Sequence, residues 1–139
     1  MFRGWYEHSV NSKGRVSIPA AFRDALSARA EDRVIVTVNV AARSLVVYPL
    51  SMWTEFEERL RQAPQFDEKV QRFRRIYVAG AMECPIDKLG RMVLPARLRE
   101  QVGIAGEAVF SGDIEKFQIW AKVEWERVRE ADLENVEDV

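Results

Sequence analysis

A chain of 139 residues with 47% hydrophobic and 31% charged residues has the length of one compact domain and a globular composition, which excludes disordered and collagen-like classes. Cys84 and His8 stand alone as cysteine and histidine, which excludes an intrachain disulfide and leaves too few ligands for a structural zinc site; no metal and no cofactor are expected. The formal net charge is −1, but Glu124, Glu126, Glu130, Asp132, Glu134, Glu137 and Asp138 against Arg127 and Arg129 leave −5 over residues 123–139 and +4 over residues 1–122.

In chain order, Tyr6 to Val10 reads as a strand and leads into a turn over Asn11, Ser12, Lys13 and Gly14. Val16 to Ile18 leads out, so the segment is hairpin-like. Asn11 suits a turn because its side chain bonds nearby backbone N–H groups, and Gly14 suits a position of positive φ. Pro19 ends the strand and opens a short amphipathic helix through Ala20, Phe22, Arg23, Ala25 and Leu26. Val34 to Val40 and Leu45 to Tyr48 form a strand pair across residues 41–43. A helix N-capped by Ser51 runs to Arg61, with Trp53, Phe56, Glu57 and Leu60 at helical spacing. Pro64 interrupts, and Phe66 to Val78 resumes helical spacing through Val70, Phe73 and Tyr77, made basic by Arg72, Arg74 and Arg75.

The second half reads like the first. Met82 to Ile86, a turn over Asp87, Lys88, Leu89 and Gly90, and Met92 to Leu94 precede Pro95 and a helix from Ala96 to Val102. Ala108 to Ser111 and Phe117 to Trp120 flank Gly112 and Asp113, and a helix from Lys122 through Leu133 carries Trp125 and Val128. Val10 to Arg23 recurs as Ile86 to Arg99 at a shift of 76, with Gly, Arg, Pro, Ala and the final Arg identical. Arg43 to Tyr48 recurs as Glu115 to Trp120, and Trp53 as Trp125, at a shift of 72. The change places a net deletion of four residues between Gly103 and Lys116, in a connecting segment that tolerates it. Two matched stretches in the same order mean duplication. Half-sized units are marginal alone, so the copies are expected to share a core. The expected organisation of this α+β chain is repeat 1 at 5–50, a helical connector at 51–80, repeat 2 at 81–124 and an acidic helix and tail at 125–139.

The spacing hydrophobic–Asx–x–x–Gly–Arg–hydrophobic–x–hydrophobic–Pro–Ala–x–hydrophobic–Arg resembles the AbrB/SpoVT-type swapped-hairpin DNA-binding domain. Two copies, with the opening Met1-Phe2-Arg3-Gly4, Tyr48-Pro49-Leu50 before Trp53, Phe73-Arg74-Arg75 and residues 79–84, resemble the MraZ family of bacterial transcriptional regulators. The resemblance covers nearly the whole chain, tapering past about Arg129. It implies tandem swapped-hairpin, AbrB-like β-barrel repeats with short helices. It also implies ring-like homo-oligomers that bind direct repeats in the promoter of the division and cell-wall gene cluster and act there as repressors. By it, Arg15 and Arg91 bind double-stranded DNA. Asp87-Lys88-Leu89-Gly90-Arg91 matches the family pattern fully, whereas Asn11 stands where the family usually has Asp and lacks the charge to hold Arg15.

Independently of any family, an arginine after a turn glycine offers a planar donor fork to phosphates or to a guanine edge, and Lys13 and Lys88 add charge beside it. Each assignment has a plainer counterpart. Gly14 and Gly90 serve any tight turn, Arg15 and Arg91 pair with carboxylates in many proteins, and turn lysines are usually only solvated. Arg72, Arg74 and Arg75 read as a face between subunits, Arg3 as a minor contributor, and Arg23 and Arg99 as pairing within their own repeat. Trp5, Trp53, Trp120 and Trp125 follow the hydrophobic phase and read as packing. An enzyme is disfavoured: Glu83 with Asp87 and the lone Cys84 lack a neighbouring histidine, the glycines form no phosphate-cradling loop, and no small-molecule substrate is expected. A ring that binds only proteins, through the acidic tail, is the alternative. No apolar run is long enough to span a bilayer, and Arg3, Glu7 and His8 interrupt the start, so a cytoplasmic protein with no membrane partner is expected; the resemblance to DNA-binding regulators implies that it is nucleoid-associated.

Overall fold

Strands pair across the two copies of the repeat. In a computed structural model describing residues 1–138, the elements are β1 (Trp5–Val10), β2 (Arg15–Ser17), α1 (Ala20–Ala28), β3 (Arg33–Val38), β4 (Leu45–Pro49) and α2 (Leu50–Arg61). Then come α3 (Glu68–Phe73), β5 (Met82–Pro85), β6 (Arg91–Val93), α4 (Ala96–Val102), β7 (Gly106–Asp113), β8 (Lys116–Ala121) and α5 (Lys122–Glu134). Val139, the last residue of the expected tail, lies outside the described residues. Six strands form one open antiparallel sheet in the order β1-β7-β8-β4-β3-β5, and β2 and β6 form a separate ribbon.

The expected local hairpins are not paired ladders. The first turn closes by Asn11 N–H to Arg15 O, 3.0 Å, but β1 pairs with β7 and β2 with β6. In the second copy β5 pairs with β3. The arms are exchanged between repeats, which makes the fold α+β with tandem repeats interleaved through one sheet. Three-residue strands hold too few ladder bonds to stand as isolated hairpins; pairing across repeats seats both sets of apolar residues in one core. Val16 faces Met92 across the ribbon, and Val46 faces Gln118 across β4 and β8. Each residue thus faces its own counterpart, so a pseudo-twofold axis passes through both points.

One face of the sheet meets the helices of the repeats. Val16, Ile18, Phe22 and Leu26, with Met92, Leu94, Leu98 and Val102, are all buried together with Val34, Val36, Leu45, Val47, Phe110 and Phe117. Phe22 packs edge-on to Phe2 at 5.4 Å and lies 5.0 Å from Phe117. Burial of each such side chain stabilises by roughly 1.5–3 kcal/mol. On the opposite face Ile35, Trp53 and Tyr77 form a second cluster with Tyr48, Phe56 and Phe73, as the alternation of β3 requires.

The connector departs from expectation at three places. Helix α2 starts at Leu50 behind Pro49, and Ser51 sits inside its first turn, where its N–H donates to Glu31 at 3.1 Å. Phe66 precedes α3 and is exposed; Asp67 is the N-cap, accepting from Lys69 and Val70 N–H. Beyond α3 the chain widens into a π-helical turn, Arg74–Val78. There the buried Thr37 hydroxyl donates to Tyr77 O at 2.6 Å, one of the carbonyls that the helix end leaves without an intrahelical donor.

Candidate nucleic-acid interface

The two turns are built alike. Asn11 Oδ1 accepts from Lys13 N–H (3.0 Å) and Arg15 N–H (2.8 Å), and Asp87 Oδ1 accepts from Leu89 N–H and Arg91 N–H, both 2.9 Å. Gly14 and Gly90 adopt φ of +86° and +76°, where a side chain is strained. Each turn is also tied to the other repeat. Leu94 N–H donates to Gly14 O at 2.8 Å, and Ile18 N–H to Gly90 O at 2.9 Å.

Arg23 corrects an expectation here, and Arg99 adds a contact to the one expected of it. Arg23 does not pair within its repeat: its Nη1 donates to Leu89 O at 3.3 Å, and its stem lies where a Cβ on Gly90 would fall. Arg99 keeps one bond in its own repeat, Nε to Leu94 O at 2.9 Å, but lies against Gly14. Each guanidinium therefore braces the opposite repeat's turn, a role invisible from sequence because it depends on the exchange of arms.

The register of the ribbon then places the arginines. Arg15 faces Val93, Val16 faces Met92, and Ser17 faces Arg91. Val16 and Met92 point inward and are buried, so Arg15, Ser17, Arg91 and Val93 share the outer face. The two arginines sit diagonally across it, roughly 7–8 Å apart by the geometry of such pairs. Arg15 is exposed and Arg91 half-buried, and Lys13 and Lys88 are exposed on the turns. Ser17 and Val93, missed in the sequence reading, lie between the arginines; the alternation of β2 and β6 was the available signal.

The electrostatics differ between turns. Arg91 Nε donates to Asp87 Oδ2 at 2.9 Å. The Arg91 N–H, ahead of the Arg91 side chain and the Leu89 N–H, holds the Asp87 carboxyl below the usual carboxylate range. Arg15 has no carboxylate partner among the described residues; the amide at Asn11 keeps the backbone bonds and leaves the guanidinium unpaired.

Elsewhere, Arg3, Arg72, Arg74 and Arg75 are exposed. Trp53 and Trp120 are buried, Trp125 lies 5.6 Å from Trp120 and 5.8 Å from Trp5, and Arg129 lies over the Trp5 ring. Glu83 pairs with Arg33 at 3.2 Å, so it and Asp87 are held by different arginines. Burial pushes the Cys84 thiol up to about 11, which leaves little nucleophilic thiolate at neutral pH. Among the described residues no helix is long and apolar enough to cross a membrane.

Fold and surface together define a class: a duplicated, arm-exchanged α+β domain that presents two arginine-bearing turns on one face. The family model described as "MraZ protein, putative antitoxin-like" matches residues 1–76 and again 77–138. The chain is 40% identical over 130 residues to the transcriptional regulator MraZ of Marinomonas sp. (strain MWYL1), covering 94% of this chain and 86% of that protein. It is 37% identical over 133 residues to the transcriptional regulator MraZ of Azotobacter vinelandii, covering 96% and 88%, with the same figures for that of Pseudomonas aeruginosa (strain LESB58). The chain belongs to the MraZ family, a family of transcriptional regulators and not of enzymes.

Proposed function

We propose that the protein is a sequence-specific DNA-binding transcriptional regulator that represses the promoter of the bacterial division and cell-wall gene cluster. It binds direct repeats there as a ring-shaped homo-oligomer, in the cytoplasm at the nucleoid. Arg15 and Arg91 are the main DNA contacts, Lys13 and Lys88 add charge, and Asn11, Gly14, Asp87 and Gly90 hold the turns. The observation that carries this reading is the shared outer face of Arg15 and Arg91 on the ribbon; the names of the relatives support the regulatory role. One bidentate arginine–guanine pair discriminates by only about 1–3 kcal/mol. Several turns acting on one DNA are therefore required, and assembly supplies them through effective concentration.

Arg15→Ala and Arg91→Ala are each expected to weaken binding to a direct-repeat promoter fragment about tenfold or more, as loss of an arginine–base or arginine–phosphate contact does, with oligomer size unchanged. Gel shift with size-exclusion light scattering measures both. A double variant that binds as well as the parent overturns the assignment, and binding lost only through dissociation makes the arginines structural. The exposed acidic face of α5 favours the second reading, a protein-binding ring. Salt separates the two, because phosphate contacts lower log affinity with log salt at about −0.9 per phosphate.

A further inference from the structure

The two turns share a backbone and differ in one functional group. Asp87 uses one oxygen for the turn and its second for Arg91 Nε. Asn11 uses its one oxygen for the turn and presents an amide where Asp87 has the second oxygen, a group that repels a guanidinium N–H. Two consequences follow. Arg91 is held by its Nε, which restricts the guanidinium and leaves its Nη pair for a ligand, so less rotamer freedom is lost on binding. Arg15 is exposed, and among the described residues no side chain holds its guanidinium. The local charge also differs: Lys13 and Arg15 are uncompensated, whereas Asp87 offsets Arg91 and leaves Lys88 as the net charge of its turn.

We propose that the two turns divide the labour: Arg91, aimed by Asp87, reads a guanine edge in the major groove, and Arg15 binds backbone phosphate without reading sequence. This rests on the DNA-binding reading above. A guanine edge presents two fixed acceptors and rewards a pre-set fork, while a phosphate accepts from many directions and rewards charge. Asp87 acts here as a positioning residue.

The test uses the full-length protein. A duplex is selected by the parent from a randomised double-stranded library, and a scrambled duplex of the same composition is the reference. Fluorescence anisotropy gives both affinities over a salt series for Arg15→Lys, Arg91→Lys, Asp87→Asn and Asn11→Asp. Arg91→Lys is expected to lower the selected-to-scrambled ratio about tenfold, the range of one bidentate pair, with an unchanged salt slope. Arg15→Lys is expected to leave the ratio within about twofold, because lysine replaces arginine well at phosphate. Asp87→Asn is expected to lower the ratio while raising affinity for the scrambled duplex. Asn carries the backbone bonds of the first turn, so this variant retains the turn and isolates the aiming of Arg91. Asn11→Asp is expected to weaken scrambled binding. Equal losses of ratio in Arg15→Lys and Arg91→Lys, or an intact ratio in Asp87→Asn, overturn the division of labour while leaving DNA binding standing. A parent that binds neither duplex overturns both readings.

Discussion

Asp87 is where charge, turn and arginine meet, and its protonation gives a test at the scale of one residue. Folding holds its carboxyl below the usual range, so the ionised form is favoured in the folded state. Its contribution is complete above the unfolded value of about 3.9 and is lost as pH falls through the lower, folded value. The melting-temperature difference between the parent and Asp87→Asn is therefore expected to stay constant from neutral pH to about 5 and to shrink below about 4; a difference that widens on acidification contradicts the sign. The pair is exposed and the effect small. The roles of Asn11 and Asp87 were legible in sequence because Asx turns are local. The free state of Arg15 followed from the same substitution. Alternation alone puts Ser17 beside Arg15 and Val93 beside Arg91; that all four share one face was not legible, since it depends on β2 pairing with β6.

Turns and strands obey a second kind of constraint, interlock. A Cβ at Gly14 would lie 2.6 Å from Leu94 O, which belongs to the other repeat, and φ there is +86°. Relief needs a shift of backbone that the ribbon shares. Gly14→Ala is thus expected to destabilise by about 1–3 kcal/mol and to lower the melting temperature by several degrees in a thermal melt. A neutral result would show that the ribbon yields freely. The helices were legible from spacing, and α1, α4 and α5 lie close to where it put them. The N-terminus of α2 was not, because Ser51 found Glu31, a partner twenty residues away, in place of its own helix end. The π-helical turn was also hidden: Thr37 and Tyr77 meet only after β3 and the connector have packed.

At the scale of the whole molecule, charge is divided between the arginine-bearing body and the acidic C-terminal helix. Removing residues 130–139 takes away Glu130, Asp132, Glu134, Glu137 and Asp138 and changes the formal net charge from −1 to +4. Arg129 remains to cover Trp5. Duplex affinity of the truncated chain is expected to equal or exceed that of the parent in the same gel-shift titration, because less like charge opposes the phosphates. Loss of binding on truncation contradicts that and moves the tail into the binding machinery.

Taken alone, the order of amino acids determined the repeat, the α+β alternation and the chemistry of both turns. Each is written in neighbouring residues, as with the Asx side chain two to four positions from the N–H groups it holds. Tertiary structure alone decided which strands pair, and with that the brace from Arg23 to Gly90 and the common face of Arg15 and Arg91. Short strands of like pattern are indifferent to their partners until a shared core, too large for either half to build, selects the exchanged arrangement.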